Sequence, residues 1–296
     1  MRYLGNKDSI LAEIESIVSI KEFKKGIVFF DAFSGTAAVG NYFKNRFKII
    51  ANDNLYLSYV YSHGKLNNPT TNFEKLSVDP FEYFNKPDLF LDGFVYKNYS
   101  PGKSNRMYFS KENAAKIDYI RFKIEEWKKE QLLSDDEYYY LIGCLLESVS
   151  KVANVAGVYG SFLKKWDSRS LKNMEFIPIE DTKASTYRSE IYNSKIEDII
   201  SEIDADILYL DPPYTANQYS TQYHVLETIA KYDNPELKGI TGARSTKKTS
   251  SDWSRSGKVE ILFDFIISKT KAKHIIMSYS SKGLMSKEYI ESVLKR

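Results

Sequence analysis

The 296-residue chain holds one cysteine, Cys144, and only three histidines. An internal disulfide cannot form, and a cysteine-based metal site is excluded. No run of about eighteen apolar residues occurs, which excludes a membrane-spanning helix. The opening Met1-Arg2-Tyr3-Leu4-Gly5-Asn6-Lys7 has no apolar signal core, so secretion is not expected. A Gly-x-Gly-x-x-Gly fingerprint is missing, so a dinucleotide is not indicated. Charge of one sign is scarce too: the formal net charge is +3, too small to mark a nucleic-acid binder, which leaves the local distribution to decide. Neither repeats nor low-complexity tracts appear. What is present, 43% hydrophobic and 27% charged residues, is the composition of a soluble globular protein with a substantial core.

The most informative stretch is Ile207-Leu208-Tyr209-Leu210-Asp211-Pro212-Pro213-Tyr214. A short apolar run reads as a buried strand, and two prolines end it and stiffen the next residues. Asp211 and the Pro212 carbonyl are then two fixed acceptors at the carboxyl end of a strand, where open α/β sheets place ligands. That set suits the exocyclic amine of a nucleobase. Two N–H bonds accepted there bias a conjugated nitrogen toward a tetrahedral shape, so its lone pair can meet an incoming methyl group, while Tyr214 stacks on the base. Pro213 completes the rigid corner. An ordinary surface turn is the plainer alternative, since Asp-Pro often opens turns.

Two further strand tips carry functional residue types. Ile27–Phe30 runs into Asp31-Ala32-Phe33-Ser34-Gly35, a small-residue turn before a helix that permits close backbone approach, although a plain βα turn reads the same way. A second strand, Phe47–Asn52, ends in Asp53-Asn54, an acid placed to accept from ribose hydroxyls or to cap a helix. Strand, glycine turn, helix, strand and acid form a Rossmann-like half, and the Asp-Pro-Pro-Tyr corner selects S-adenosylmethionine as the cofactor it holds. Arg2 to Lys7, taken alone, reads as a frayed terminus, followed by a helix from an Asp8 cap to about Ile20.

Residues 62–105 show no steady period and read as irregular. Helices are expected from Ser110 to Gln131 and from Asp135 to Asn154, each with an apolar stripe that belongs to a core. The Asn154–Trp166 loop, with Lys164 and Lys165, could approach a DNA backbone. Residues 60–180 therefore read as an insertion, with 1–59 and 181–296 forming the sheet. The remaining expectations are a strand at Tyr187–Asn193, a short helix, the strand at 206–210, a helix over Ser220–Tyr232, a helix near 259–269 and a strand at His274–Ser278. Between Lys238 and Lys258 lies a run with Arg244, Lys247, Lys248 and Arg255, expected as a mobile loop that holds phosphates, with a solvated charge run as the alternative.

Arg2-Tyr3-Leu4-Gly5-Asn6-Lys7, Asp31-Ala32-Phe33-Ser34-Gly35, Asp53 and Asp211-Pro212-Pro213-Tyr214 stand in an order that resembles the alpha-group (D12 class) N6-adenine DNA methyltransferases. The Asn-Arg-x-Tyr-Phe-Ser start at 105–110, Asn154–Trp166 and the run from Asn217 to Arg244 resemble the FokI-type modification methylases of that class. The resemblance covers nearly the whole chain. It implies an α/β, Rossmann-like methyltransferase sheet with an inserted, mainly helical or irregular target-recognition region. It assigns S-adenosylmethionine to Tyr3, Lys7, the Asp31–Gly35 turn, Asp53, Asn54 and the edge of Asp211. A flipped adenine falls to Asp211, Pro212, Pro213 and Tyr214. Double-stranded DNA is the implied partner, in the cytoplasm of a prokaryotic cell, with a restriction endonuclease as a candidate companion. Methylation of cytosine N4 or of an RNA adenine, and a non-catalytic DNA-binding subunit, are the rival readings. Two departures stand out. Asn193-Ser194 occupy the place of a usual acid, with Glu197 and Asp198 further on. Nothing after Ser280 reads as a sixth and a seventh strand, so truncation or a second chain on that sheet edge is expected.

Overall fold

The computed structural model describes residues 1, 3–67, 73–180 and 185–296. Arg2 and the expected domain boundary at 181 lie outside the described residues. The chain opens with a 3-10 turn at Asp8–Ile10, then α1 (Leu11–Val18), β1 (Val28–Asp31), α2 (Ala38–Phe43), β2 (Lys48–Asn52) and α3 (Tyr56–Leu66). Next come α4 (Pro80–Phe84), α5 (Phe94–Tyr99), α6 (Lys111–Lys129) and α7 (Asp135–Val152), then β3 (Glu190–Tyr192), α8 (Ile196–Ile199) and β4 (Ile207–Leu210). The last third holds α9 (Tyr219–Gln222), α10 (His224–Lys231), β5 (Leu237–Lys238), β6 (Ala243–Arg244), α11 (Val259–Lys269), β7 (His274–Met277) and α12 (Lys287–Leu294).

Five strands form one parallel sheet in the order β3-β2-β1-β4-β7, with Phe30 opposite Ile50 on one side and Leu208 on the other. Strands covered on both faces read as unbroken apolar runs, which is why β1, β2 and β4 are conspicuous in the sequence. Side chains alternate between the faces. Phe29 packs with Val18, Phe43 and Phe47 beneath the sheet, and Phe30 packs with Leu208, Trp253 and Phe263 above it. The chain reverses direction of travel between β1 and β4, so a crevice opens beyond their carboxyl ends.

Between β2 and β3 the chain builds a helical layer, and residues of α3, α5, α6 and α7 share one core there with α10, which follows β4. Ser110 caps α6, and Ser134 with Glu137 forms a reciprocal capping box on α7. The stripe Ala114, Ile117, Ile120, Ile124 and Trp127 is buried as its spacing predicts.

Several expectations need correction. Asp8 does not cap a long helix: it sits inside the 3-10 turn, and α1 stops at Val18, where the Ser19 amide turns back to the Glu15 carbonyl. The segment 62–105 is not simply irregular. It holds the end of α3 and two short helices whose starts are fixed by side chains, Asp79 on α4 and the buried Asp118, which accepts from the Val95 and Tyr96 amides. Helices of five or six residues are too short to show a period. The expected Ser220–Tyr232 helix is broken at Tyr223.

Candidate active site

Three strand tips and the N-terminal segment meet around one open-mouthed cavity. Tyr3, Lys7, Asp31, Phe33, Ser34, Gly35, Asp53, Asn54, Asp211, Pro212, Pro213 and Tyr214 all line it. Ala32 does not: it is fully buried behind the turn, its amide bonded to the Tyr209 carbonyl and its carbonyl to the Asn52 amide group.

The β1 tip is shaped by its backbone. Gly35 has φ +51°, and a Cβ there would lie 3.1 Å from the Tyr3 ring, so the turn needs glycine for both conformation and approach. Its amide donates to Asp53 Oδ2 at 3.0 Å, and Asp53 Oδ1 accepts from the Leu55 amide at 2.9 Å. Asp53 thus ties the β1 turn to the start of α3, while burial pushes its carboxyl up to about 6. The same start is held by buried Glu227, which accepts from the Tyr56 and Leu57 amides. Asp31 is only 2% exposed, and its Oδ1 has no partner in the protein. Burial first, then the charges of Asp211 and Asp53, push its carboxyl up to about 8.

At the β4 tip, Asp211 is 15% exposed and pairs through Oδ1 with Lys7 Nζ at 2.9 Å. Burial raises its carboxyl to about 6, and the Lys7 ammonium opposes that rise. The lysine also stands 5.9 Å from the Tyr214 ring centre. Lys7 therefore meets the corner acid directly, a contact that the sequence did not foretell.

Tyr3 and Leu4 are clamped rather than frayed. Tyr3 stacks on Tyr223 with centroids 4.5 Å apart, the Leu4 amide donates to the Tyr223 hydroxyl at 2.6 Å, and the Tyr219 hydroxyl donates to the Leu4 carbonyl. Tyr219 and Tyr223 were missed, although their i, i+4 spacing beyond the corner was a signal. A strap at 249–254 closes one wall. Gln218 exchanges two 2.8 Å bonds with the Ser251 backbone, and Asn54 donates to the Thr249 carbonyl. Trp253 and Ser220 line the cavity, and Trp253 Nε1 and Ser220 Oγ, like Asp31 Oδ1, are buried without a partner. Orphaned polar atoms around a cavity, the Tyr209 hydroxyl among them, are what a ligand-binding surface leaves open. Of the acids beyond β3, Glu197 lines the cavity and Asp198 does not; Asn193 donates to the Asp53 carbonyl instead.

None of the expected phosphate contacts lines the cavity. Lys164, Lys165, Lys247 and Lys248 are exposed. Arg244 is engaged in a two-pronged pair with Asp233 at 2.9 and 2.6 Å, and Arg255 pairs with Asp252 at 2.9 Å. The supposed mobile loop contains the β5–β6 hairpin and the strap, so it is largely anchored.

Among the described residues no group of His, Cys, Asp and Glu could hold a metal ion, and no helix is long and apolar enough to cross a membrane. Over its full length the chain is 38% identical to the type II methyltransferase M.FokI of Planomicrobium okeanokoites and 40% identical to the modification methylase LlaI of Lactococcus lactis, covering 47% and 49% of those proteins. It thus spans about half the length of these two relatives. It is also 36% identical to the type II methyltransferase M.NlaIII of Neisseria lactamica, covering 88% of that protein. Residues 3–293 match the family described as D12 class N6 adenine-specific DNA methyltransferase. A parallel sheet whose switch-point cavity is lined by the Asp-Pro-Pro-Tyr corner fits that match, and the chain belongs to the D12 class of N6 adenine-specific DNA methyltransferases.

Proposed function

We propose that the chain transfers a methyl group from S-adenosylmethionine to N6 of an adenine flipped from duplex DNA, as the modification enzyme of a restriction–modification system. The observation that carries this reading is the Asp211–Lys7 pair at the rim of a cavity that also holds a buried, partnerless acid. S-adenosylmethionine supplies a methyl group already activated on a sulfonium. The wall fits such a ligand: Asp31 offers an uncompensated carboxylate to its cationic amino-acid end, Asp53 and Asn54 offer acceptors and donors to a ribose, and Trp253 and Ser220 offer free donors.

The corner residues act on the base. Lys7 engages Asp211 Oδ1, which favours the charged carboxylate and leaves Oδ2 to accept an amine N–H. The Pro212 carbonyl, fixed by the Pro213 ring, accepts the second. Positive charge growing on nitrogen then meets fixed negative atoms in a poorly solvated place, where such contacts are worth most. With a carboxyl near 6, Asp211 can also hold the proton released from nitrogen. Tyr214 supplies the stacking face, braced edge-on by Tyr279 at 6.2 Å.

The test is nucleoside analysis. Purified protein is incubated with unmethylated duplex DNA and S-adenosylmethionine labelled in the methyl group, and the DNA is digested. Label in N6-methyldeoxyadenosine supports the proposal; label in N4-methyldeoxycytidine, or none in DNA, overturns it.

A further inference from the structure

The turn between β5 and β6, Gly239-Ile240-Thr241-Gly242, is built in an unusual way. Each of its four carbonyls is bonded by a side chain from the helical layer. Arg106 donates to the Gly239 carbonyl at 3.1 Å and to the Ile240 carbonyl at 2.9 Å. The Tyr108 hydroxyl bonds the Thr241 carbonyl at 3.1 Å, and the Tyr99 hydroxyl bonds the Gly242 carbonyl at 3.1 Å. Both glycines have positive φ, +68° and +66°, so the turn is tight. With every carbonyl turned inward, Ile240 is left 85% exposed at the apex. A fold that spends one arginine and two buried tyrosines to immobilise a solvent-facing isoleucine is presenting that side chain to something.

Its position says to what. Tyr108 also bonds His224 Nε2 at 3.4 Å, at the start of α10, one residue from the Tyr223 that stacks on Tyr3 in the cavity wall. The base of the hairpin is tied by Arg244 to Asp233, just past the other end of α10. The apex therefore lies at the cavity end of that helix. The Tyr108 oxygen also lies 3.1 Å from the Tyr159 carbonyl, in the loop that carries Lys164 and Lys165, so its one proton is shared between that carbonyl and the carbonyl of Thr241. Beyond β6 the chain passes exposed Lys247 and Lys248 and reaches Thr249 and Ser251 in the cavity wall. An immobilised apolar apex, with exposed Lys164 and Lys165 on the loop that Tyr108 joins to it and exposed Lys247 and Lys248 on the segment leading from it to the cavity wall, suits a duplex whose stack has been opened: cations for the phosphates and an aliphatic group for the gap.

We propose that Ile240 is a wedge that enters the DNA base stack where the target adenine has left it. This rests on the function proposed above. Swinging a base out costs unstacking and unpairing, and an aliphatic side chain filling the vacated space offsets part of that cost, so the open state is more populated.

The test uses wild-type protein, Ile240→Ala and Ile240→Leu. Sequencing of DNA treated with wild-type protein first identifies the methylated adenine. The probes are duplex oligonucleotides with that site either fully paired or with an abasic residue opposite the target. Ile240→Ala is expected to slow methylation of the paired duplex about 10- to 100-fold. It should change the rate on the abasic duplex by less than about threefold, since there the base is already half released. Ile240→Leu should keep the paired rate within about threefold, because it restores most of the buried volume. With 2-aminopurine at the target, the fluorescence rise on binding should be smaller for Ile240→Ala than for wild type. An Ile240→Ala rate equal to wild type on the paired duplex, or equally slowed on both probes, overturns the wedge. Should wild-type protein methylate no adenine in DNA, the function proposed above fails and the wedge fails with it. The side chain is exposed, so melting temperatures of all three proteins should coincide within about 2 °C.

Discussion

Replacing Asp31 by asparagine should make the free protein more stable and the loaded protein weaker. The carboxyl is buried, one oxygen is partnerless, and its pKa is raised from the ordinary 3.8 to about 8. A raised folded-state value means that the native chain binds the proton more tightly than the unfolded one. The associated stability is full below 3.8 and is lost as pH rises toward 8. At pH 7 that loss is about 4 kcal/mol at 1.36 kcal/mol per pH unit. Asparagine never ionises, although its weaker acceptor serves the Phe33 and Gly40 amides less well. The net gain should be about 2–4 kcal/mol, or roughly 4–10 °C in melting temperature for a chain of this size. The difference should shrink toward pH 4 and level off above about 8. Calorimetric melting of both proteins across that range measures it. The same change should weaken S-adenosylmethionine about 10- to 100-fold, since it removes a charge-assisted contact. Titration calorimetry in buffers of different ionisation enthalpy should show wild-type protein releasing a proton on binding below pH 8. A variant that melts lower than wild type with no dependence on pH, or that binds the cofactor unchanged, would refute the reasoning.

The same geometry governs two other perturbations. Lys7→Met removes the cation that opposes the rise of Asp211, so the acid limb of the pH–rate profile, expected near 6 in the wild type, should move up by roughly one pH unit; an unmoved limb would separate Lys7 from the acid. Lys247→Ala with Lys248→Ala should reduce the slope of log affinity for duplex DNA against log salt by about 2. Arg244→Ala, whose guanidinium is already paired with Asp233, should leave that slope almost unchanged.

The elements legible in the sequence were those whose signal is local. Runs such as Ile207–Leu210 and stripes such as Ile117-Ile120-Ile124 declare strand and helix without reference to anything distant. The strand tips Asp31, Asp53 and Asp211 could be found because a carboxylate ending an apolar run is itself local. What stayed hidden depends on partners far along the chain. The first seven residues look frayed until Tyr219 and Tyr223, some two hundred positions away, are seen to grip Leu4. Arg244 looks available until Asp233 occupies it. The Asn105–Ser110 stretch stood out as a motif, but its purpose, Arg106 and Tyr108 fixing the turn around Ile240, emerges only when residues more than 130 positions apart are brought together. Short helices such as α4 and α5 depend on single capping carboxylates, which periodicity does not register.

The central claim is that the Asp211 carboxylate presents an adenine amine for methylation. It is tested most directly by comparing wild-type protein and Asp211→Ala in label transfer to duplex DNA, with DNA binding measured in parallel. The account predicts N6-methyldeoxyadenosine from wild type, a loss of about a thousandfold or more in the variant, and DNA affinity within about threefold of wild type. Methyl transfer that survives in Asp211→Ala at a comparable rate would contradict it.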